Sequence, residues 1–180
     1  KLPAKALPPL LNKQLPPDVR VTGAAEVPTG FHARHSARGR RYEYRLLPAP
    51  DVLRSRYAWA PGRLPPLAAL AAAGPPLVGT HDYSAFRGTS ETPADPVCDV
   101  TLARWRVWED GVAFEVTANH FVYHMVRNIV GTALAAARLP DPAAHMAAVL
   151  ASRDRRRGGR IAPPEGLSLE RVYFEGEELS

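Results

Sequence analysis

The stretch that most constrains the fold is NHFVYHMVRNIVGT, from Asn119 to Thr132. Its apolar residues recur at steps of three and four, the spacing that buries one side of an α-helix. We therefore predict a helix that begins in this stretch and runs to about Arg138, with Val122, Val126 and Ile129 on its buried side. A second side of the same helix carries His120, His124, Arg127, Gly131 and Arg138.

Gly131 is the unusual residue of this helix. Glycine costs roughly 1 kcal/mol relative to alanine in a helix interior, so its presence predicts close approach of another backbone. Arg127 lies one turn earlier. It is either a functional group beside that approach or a surface arginine of an ordinary amphipathic helix, and the spacing leaves both readings open.

The other elements indicate an α+β fold, an antiparallel sheet packed by helices. Strands alternate apolar and polar residues, and Asp110-Gly111 suits a tight turn between two of them. Asp141 and Pro142 are typical of a helix start. The predicted strands are Val19–Val27, Arg40–Leu47, Val97–Trp108, Val112–Ala118 and Ser168–Phe174, and the further helices are Leu64–Ala73 and 142–152. We predict a segment at 1–18 that continues from a missing amino-terminal half, and one domain at 19–180.

The net charge of +5 on 180 residues favours an anionic partner. All but three of the 23 basic residues are arginine, whose planar fork suits phosphate. Nucleic acid is favoured over a membrane, because no basic amphipathic helix with a bulky apolar face appears. No apolar run approaches the ~20 residues needed to cross a bilayer. The single Cys98 excludes an intrachain disulfide and indicates a reducing compartment.

Arginines cluster around the strand that carries Tyr42 and again between Arg153 and Arg160. They are suited to neutralising RNA phosphates beside an aromatic ring that stacks on an unpaired base. Tyr42 is equally compatible with a core position.

Metal and nucleophile motifs are weak. His120 and His124 stand four apart, but Phe121 replaces the glutamate of zinc proteases and no third ligand is evident. There is no Gly-x-Ser-x-Gly elbow and no glycine-rich nucleotide loop. We predict no metal and no cofactor, with a metal-dependent hydrolase using the two histidines as an alternative.

Five sequence blocks follow one another along the chain: Phe31–Arg34, Arg40–Tyr44, His81–Arg87, Asn119–Gly131 and Pro164–Leu167. Together and in this order they resemble the tRNA pseudouridine synthase A family. The resemblance implies a pseudouridine synthase-like fold and a cytoplasmic isomerase that converts uridine to pseudouridine in the tRNA anticodon stem-loop, at tRNA positions 38–40. It also implies a homodimer that works without metal or organic cofactor.

By the same resemblance, Tyr42 packs on the target base and Arg127 pairs with the catalytic aspartate. We predict RNA contacts from Arg40, Arg41, His120, His124, Arg155, Arg156 and Arg157, and a substrate pocket with Phe86 and Leu167. The family's Arg-Thr-Asp-Ala-Gly-Val-His motif, which carries that aspartate, does not occur in this sequence. The expectation is a carboxy-terminal half that lacks its nucleophile and is inactive alone; the alternative is a non-catalytic RNA-binding module.

Overall fold

A computed structural model describes residues 2–89 and 95–179. By their internal contacts these residues form two compact units, of which the first ends at Ser36 and the second begins at Ala37. The predicted domain boundary between residues 18 and 19 stays a prediction. No helix in the described ranges combines the length and the apolar character that crossing a bilayer requires.

The first unit is proline-rich and mostly irregular. A 3-10 turn, Ala4–Ala6, leads into the short helix α1, Leu7–Leu11. The Asn12 side chain then binds the backbone of Val21 twice, accepting from its N–H at 2.8 Å and donating to its carbonyl at 2.9 Å. The predicted strand Val19–Val27 is wrong: residues 19–27, all of them described, form no strand. A strand needs a neighbouring strand to hydrogen-bond with, whereas a side chain satisfies Val21.

The second unit is built on an antiparallel sheet, as predicted, and this sheet has five strands, of which the one at Gly79–Asp82 was not predicted. Its strands are β1, Gly39–Leu46; β2, Gly79–Asp82; β3, Val97–Trp108; β4, Gly111–Ala118; and β5, Leu167–Tyr173. They lie in the order β2-β3-β4-β1-β5. Since β1 pairs with both β4 and β5, the strand that carries Tyr42 lies inside the sheet and is hydrogen-bonded on both sides.

Among its described residues this unit has three α-helices: α2, Leu67–Ala72; α3, Met125–Ala136; and α4, Pro142–Ser152. Helix α4 begins as predicted, because the Asp141 carboxylate accepts a hydrogen bond from Ala144 N at 2.9 Å and Pro142 occupies the first turn. Helix α2 is shorter than the predicted Leu64–Ala73, since Pro66 precedes its first residue.

One face of the sheet and helix α3 enclose the main core. Tyr44 and Phe114 from neighbouring strands are fully buried there, together with Ile129 of α3. Cys98 is buried in the same core, and burial raises the pKa of its thiol to about 11. It is therefore a protonated packing residue at neutral pH.

The hairpin between β3 and β4 turns at Glu109 and Asp110, one residue earlier than the predicted Asp110–Gly111. Trp108 pairs with Gly111, and Glu109 takes a positive φ of 50°. Gly111 itself lies against the Leu46 carbonyl, where a Cβ atom would collide with backbone. The glycine is thus required by the neighbouring strand rather than by the turn.

Helix α3 begins at Met125, later than its apolar period suggested. His124 lies in the left-handed region, with a φ of 61°, which ends any helix arriving from the amino-terminal side. The Asn119 side chain accepts hydrogen bonds from the N–H groups of Asp99 at 2.9 Å and His120 at 2.7 Å. This side chain offers the backbone a stable alternative to a helical turn.

The opposite face of the sheet is covered by ion pairs. Glu43 and Glu115 face each other across β1 and β4 and are both buried. Arg104 and Arg106 each reach Glu115 at 2.6 Å, and Arg106 also pairs with Glu43. Arginine stems and guanidinium groups therefore cover this face, which explains why every residue of β4 is buried.

Glu115 makes stability depend on pH. Burial by itself raises the pKa of the Glu115 carboxyl, but hydrogen bonds from Arg106 and Arg104 outweigh it and hold the pKa below its ordinary value of 4.5. A carboxylate whose pKa is lower in the folded state stabilises the fold above pH 4.5, and this contribution is lost as pH falls through the folded value. We expect Glu115→Gln to lower the free energy of unfolding by about 2 kcal/mol at neutral pH.

Urea unfolding at a series of pH values measures this effect. The difference between Glu115→Gln and wild type should shrink as the pH drops below 4.5. Glu178→Gln is the control, because Glu178 is exposed near the end of the chain. A difference between Glu115→Gln and wild type that stays constant down to acid pH would show that the network does not depend on the carboxylate charge.

Candidate active site

A cavity of about 800 Å³ opens beside helix α3, where three guanidinium groups meet an apolar wall. The arginines are Arg127, Arg138 and Arg160. Its other lining residues are Trp59, Pro61, Gly131, Leu134, Ala135, Ile161, Pro163 and Pro164. Among the described residues, no aspartate or glutamate lines this cavity. The site is therefore suited to an anionic group that arrives from outside it.

Arg127 is held in place by the backbone opposite. Its Nε donates to the Ala162 carbonyl at 2.7 Å, and the Ala162 N–H donates back to the Arg127 carbonyl at 3.1 Å. The side chain is half-buried. No carboxylate in residues 2–89 or 95–179 forms an ion pair with it. One edge of the guanidinium is thus fixed by protein, which leaves the terminal nitrogens to bind an anion.

Gly131 permits this arrangement. A Cβ atom at this position would collide with the Arg160 carbonyl, so the prediction of a close backbone approach is confirmed. One residue further along α3, the Thr132 hydroxyl accepts a hydrogen bond from the Gly159 N–H at 2.9 Å. The segment after the basic loop is consequently pressed onto α3, and the Ala162 carbonyl comes within reach of Arg127.

Tyr44 supports this region from the core, where it contacts the backbone of the cavity-lining residue Pro163, and it was not predicted as a site residue. It is fully buried, and its hydroxyl donates to the Pro163 carbonyl at 2.6 Å. Burial raises the pKa of Tyr44 well above its ordinary value, although the nearby Arg127 charge acts in the opposite direction. Its phenol therefore stays protonated. The alternation of side chains along β1 places Tyr44 on the same face as Tyr42, and this pattern could have predicted Tyr44 as a site residue from the sequence.

Tyr42 lies on the helix-covered face at the rim of the core. It is half-buried and meets the Phe121 ring edge-on, with ring centroids 4.9 Å apart and planes at 81°. Leu167, from β5, packs against the same core as Tyr42. Tyr42 thus packs against the core and is partly exposed. Its position is compatible both with a core role and with stacking on an unpaired base, the two interpretations that the sequence left open.

Phe86 takes a different place from the one predicted. It is fully buried and packs against Tyr83, with ring centroids 6.1 Å apart. A ring that presents no surface cannot line an open substrate pocket, so Phe86 supports the site from the core. The aromatic sequence around it could not distinguish a pocket wall from a core residue.

The predicted RNA contacts Arg40 and Arg41 lie on opposite faces of the sheet, because neighbours on a strand alternate. Arg40 is on the face of Tyr42 and donates to the Asn119 carbonyl at 3.2 Å. Arg41 is on the face of the ion-pair network, where its Nε donates to the Thr117 hydroxyl at 3.3 Å. One RNA strand beside Tyr42 can therefore meet Arg40 but not Arg41.

The two histidines do not share a helix face. His120 precedes α3, and its Nε2 lies 3.1 Å from the Asp95 carbonyl. His124 caps the helix, and its ring stacks on Tyr123 at 3.7 Å. Burial lowers the pKa of His124, and the Arg127 charge lowers it further, so His124 is mainly neutral near pH 7. Within the described ranges, no group of three or more His, Cys, Asp or Glu residues could hold a metal.

The three arginines predicted to bind RNA in the basic loop differ in their surroundings. Arg155 donates to Asn128 Oδ1 at 2.8 Å and to the Gly159 carbonyl at 2.9 Å, so its guanidinium is engaged within the protein. Arg156 is exposed and pairs with Asp154 at 2.9 Å. Arg157 is exposed as well. Arg155 is therefore placed to hold the loop, and Arg157 to face solvent.

Comparisons with known proteins bear on this geometry. A family model described as tRNA pseudouridine synthase matches residues 73–175. Proteins named tRNA pseudouridine synthase A are similar throughout: that of Myxococcus xanthus is 39% identical over 96% of this chain and 66% of its own length. The protein of Halalkalibacterium halodurans is 38% identical over 98% of this chain and 68% of its own length. The protein of Geobacillus kaustophilus is 40% identical over 94% of this chain and 66% of its own length. The chain thus spans about two thirds of the length of these relatives.

Proposed function

The chain belongs to the tRNA pseudouridine synthase family, and from this premise we propose that it forms part of an enzyme that isomerises uridine to pseudouridine in the anticodon arm of tRNA, at positions 38–40. The observation that carries the proposal is the Arg127 guanidinium. It is anchored to the Ala162 carbonyl and faces a cavity that contains two further arginines and, among the described residues, no carboxylate.

The missing negative charge is assigned to a catalytic aspartate from residues of the same protein outside this sequence. Arg127 binds that carboxylate through its terminal nitrogens, keeping it ionised and oriented. The carboxylate acts at the sugar as the bond from ribose to base nitrogen breaks. The freed uracil turns and rejoins ribose through C5, the C5 proton leaves, and N1 gains a proton.

Tyr42 is assigned to the swung-out base. Extrusion of a nucleotide costs a few kcal/mol of stacking, which contacts in the receiving pocket offset. The Tyr42 ring is held edge-on by Phe121 and keeps part of its surface open, which suits packing against uracil. To its hydroxyl we assign assistance in the removal of the C5 proton. From the family resemblance alone, we also assign a homodimeric form and a cytoplasmic setting to the whole protein.

The test uses tRNA carrying tritium at C5 of uridine, because pseudouridine formation releases that hydrogen to water. The product of the complete gene should release tritium, whereas the 180-residue chain should bind tRNA without release. Release by the chain alone would place the carboxylate inside this sequence. Binding without release by the complete product would leave the chain as a non-catalytic RNA-binding module.

A further inference from the structure

A second cavity, of about 840 Å³, lies across Ile161 from the cavity of Arg127, since Ile161 lines both. Its walls come from the segment after β2, from the basic loop and from helix α3. The described lining residues are Ser84, Arg87, Gly88, Thr89, Asn128, Arg153, Asp154, Arg155, Arg156 and Ile161. Four of these residues are arginines, and none of them is aromatic.

The negative charge in this cavity is already neutralised. Asp154 is the one carboxylate among the described lining residues, and Arg156 binds it through Nε at 3.0 Å and Nη2 at 2.9 Å. Asp82 lies behind the lining and pairs with Arg153 at 3.2 Å. The cavity consequently keeps an excess of positive charge that these pairs do not cancel.

Arg87 is the centre of that excess. It is half-buried, and its guanidinium makes no hydrogen bond or ion pair with the described part of the chain. The Arg87 charge acts on the Asp82 carboxylate only through space, and that carboxylate forms its direct ion pair with Arg153. A bound phosphate would give Arg87 the direct partner that it lacks among the described residues. Arg153, with a side chain 69% exposed, lines the same cavity, and its terminal nitrogens can bind the same ligand while its Nε stays paired with Asp82.

The frame around Arg87 is rigid. Asn128 is buried, and its amide nitrogen donates to the Phe86 carbonyl, next to Arg87, at 2.8 Å. Its amide oxygen accepts from Arg155 Nη2 at 2.8 Å. One side chain thus joins the backbone before Arg87 to the basic loop. This arrangement fixes the backbone that carries Arg87 before any ligand binds, which lowers the ordering cost of binding.

We propose that this cavity binds a backbone phosphate of the RNA substrate, through Arg87 and Arg153, next to the nucleotide that enters the cavity of Arg127. The inference rests on the proposed function and assigns a role to residues outside the active site. The absence of aromatic side chains from the described lining argues for a phosphate rather than a stacked base. The guanidinium fork matches phosphate oxygens, and the shared Ile161 places the two cavities within reach of one RNA strand.

The test is the salt dependence of binding to a tRNA anticodon stem-loop, measured by fluorescence anisotropy on the product of the complete gene. Arg87→Gln should weaken binding about tenfold at moderate salt and reduce the slope of log K against log salt by about 1, the effect of losing one phosphate contact. Arg153→Gln should act in the same direction. Because Arg153 is largely exposed, it provides a second reading should Arg87→Gln fold poorly.

Arg63→Gln is the matched control, as Arg63 is exposed and lines neither cavity; its slope should equal that of wild type. Equal slopes for Arg87→Gln, Arg153→Gln and wild type would overturn the phosphate site. A loss shared equally by Arg63→Gln would also overturn it, because net charge would explain the effect. If the protein binds RNA with an Arg87-dependent slope but releases no tritium from C5-labelled tRNA, the proposed function fails and the phosphate site stands.

Discussion

Arg127→Lys in the product of the complete gene should reduce turnover by two to three powers of ten while changing tRNA affinity only a few-fold. Arg127 uses Nε to hold the Ala162 carbonyl at 2.7 Å, and the proposed function assigns its terminal nitrogens to the catalytic carboxylate. Lysine retains the charge, but a single ammonium cannot do both. Loss of one preorganised electrostatic contact typically costs ~10²–10³ in rate, or about 3–4 kcal/mol of transition-state stabilisation.

Single-turnover rates and binding constants, measured on the same preparation, separate the two effects. Arg56→Lys is the control, because Arg56 is an exposed arginine in the connection between β1 and α2, and both of its values should match wild type. An equal fall in binding and turnover for Arg127→Lys would mean that Arg127 contacts an RNA phosphate instead of orienting a carboxylate.

Gly131→Ala should lower the free energy of unfolding by about 3 kcal/mol, although alanine is the better helix former. The added methyl group meets the Arg160 carbonyl and the backbone nitrogen of Ala162. Neither is the end of a flexible side chain that could move away. The backbone on one side must shift, and overpacking of this kind costs about 1–3 kcal/mol or more. The same shift would pull Ala162 away from Arg127, so turnover should fall along with stability.

Ala135→Gly, on the exposed side of the same helix, is the comparison. At this position no steric clash is involved, so only the lower helix propensity of glycine acts. The free energy of unfolding should fall by about 1 kcal/mol. Denaturant unfolding of both variants measures the contrast. A Gly131→Ala protein that is as stable as wild type would show that the basic loop does not press on helix α3 in solution.

The local sequence pattern was sufficient to predict most strands of the sheet. The alternation of apolar and polar residues predicted β1, β3, β4 and β5 to within a residue or two, because the period of a strand is set by adjacent residues. The same alternation contained a signal that the site prediction did not use. The two-residue period of a strand is enough to place Arg40 and Arg41 on opposite faces, and Tyr44 on the face of Tyr42.

The site was harder to predict, because its contacts join distant parts of the chain. Asn128 reaches Phe86, 42 positions away, and Tyr44 reaches Pro163, 119 positions away. Only these contacts show that Arg155 holds the loop and that Phe86 is a core residue. Nothing in the sequence near Arg87 indicates that its guanidinium makes no direct hydrogen bond or ion pair with the described residues, since that depends on which side chains surround it.

The sequence by itself determined the α+β class, the capped start of α4, the close approach at Gly131 and the family to which the chain belongs. These follow from periodicity, capping chemistry and ordered motifs, all of which are properties of neighbouring residues. Only the tertiary structure decided where α3 begins, that residues 19–27 form no strand, and which arginines face a cavity. Those outcomes depend on hydrogen-bond partners that the fold brings together, such as Asn119 with Asp99 and Ala162 with Arg127.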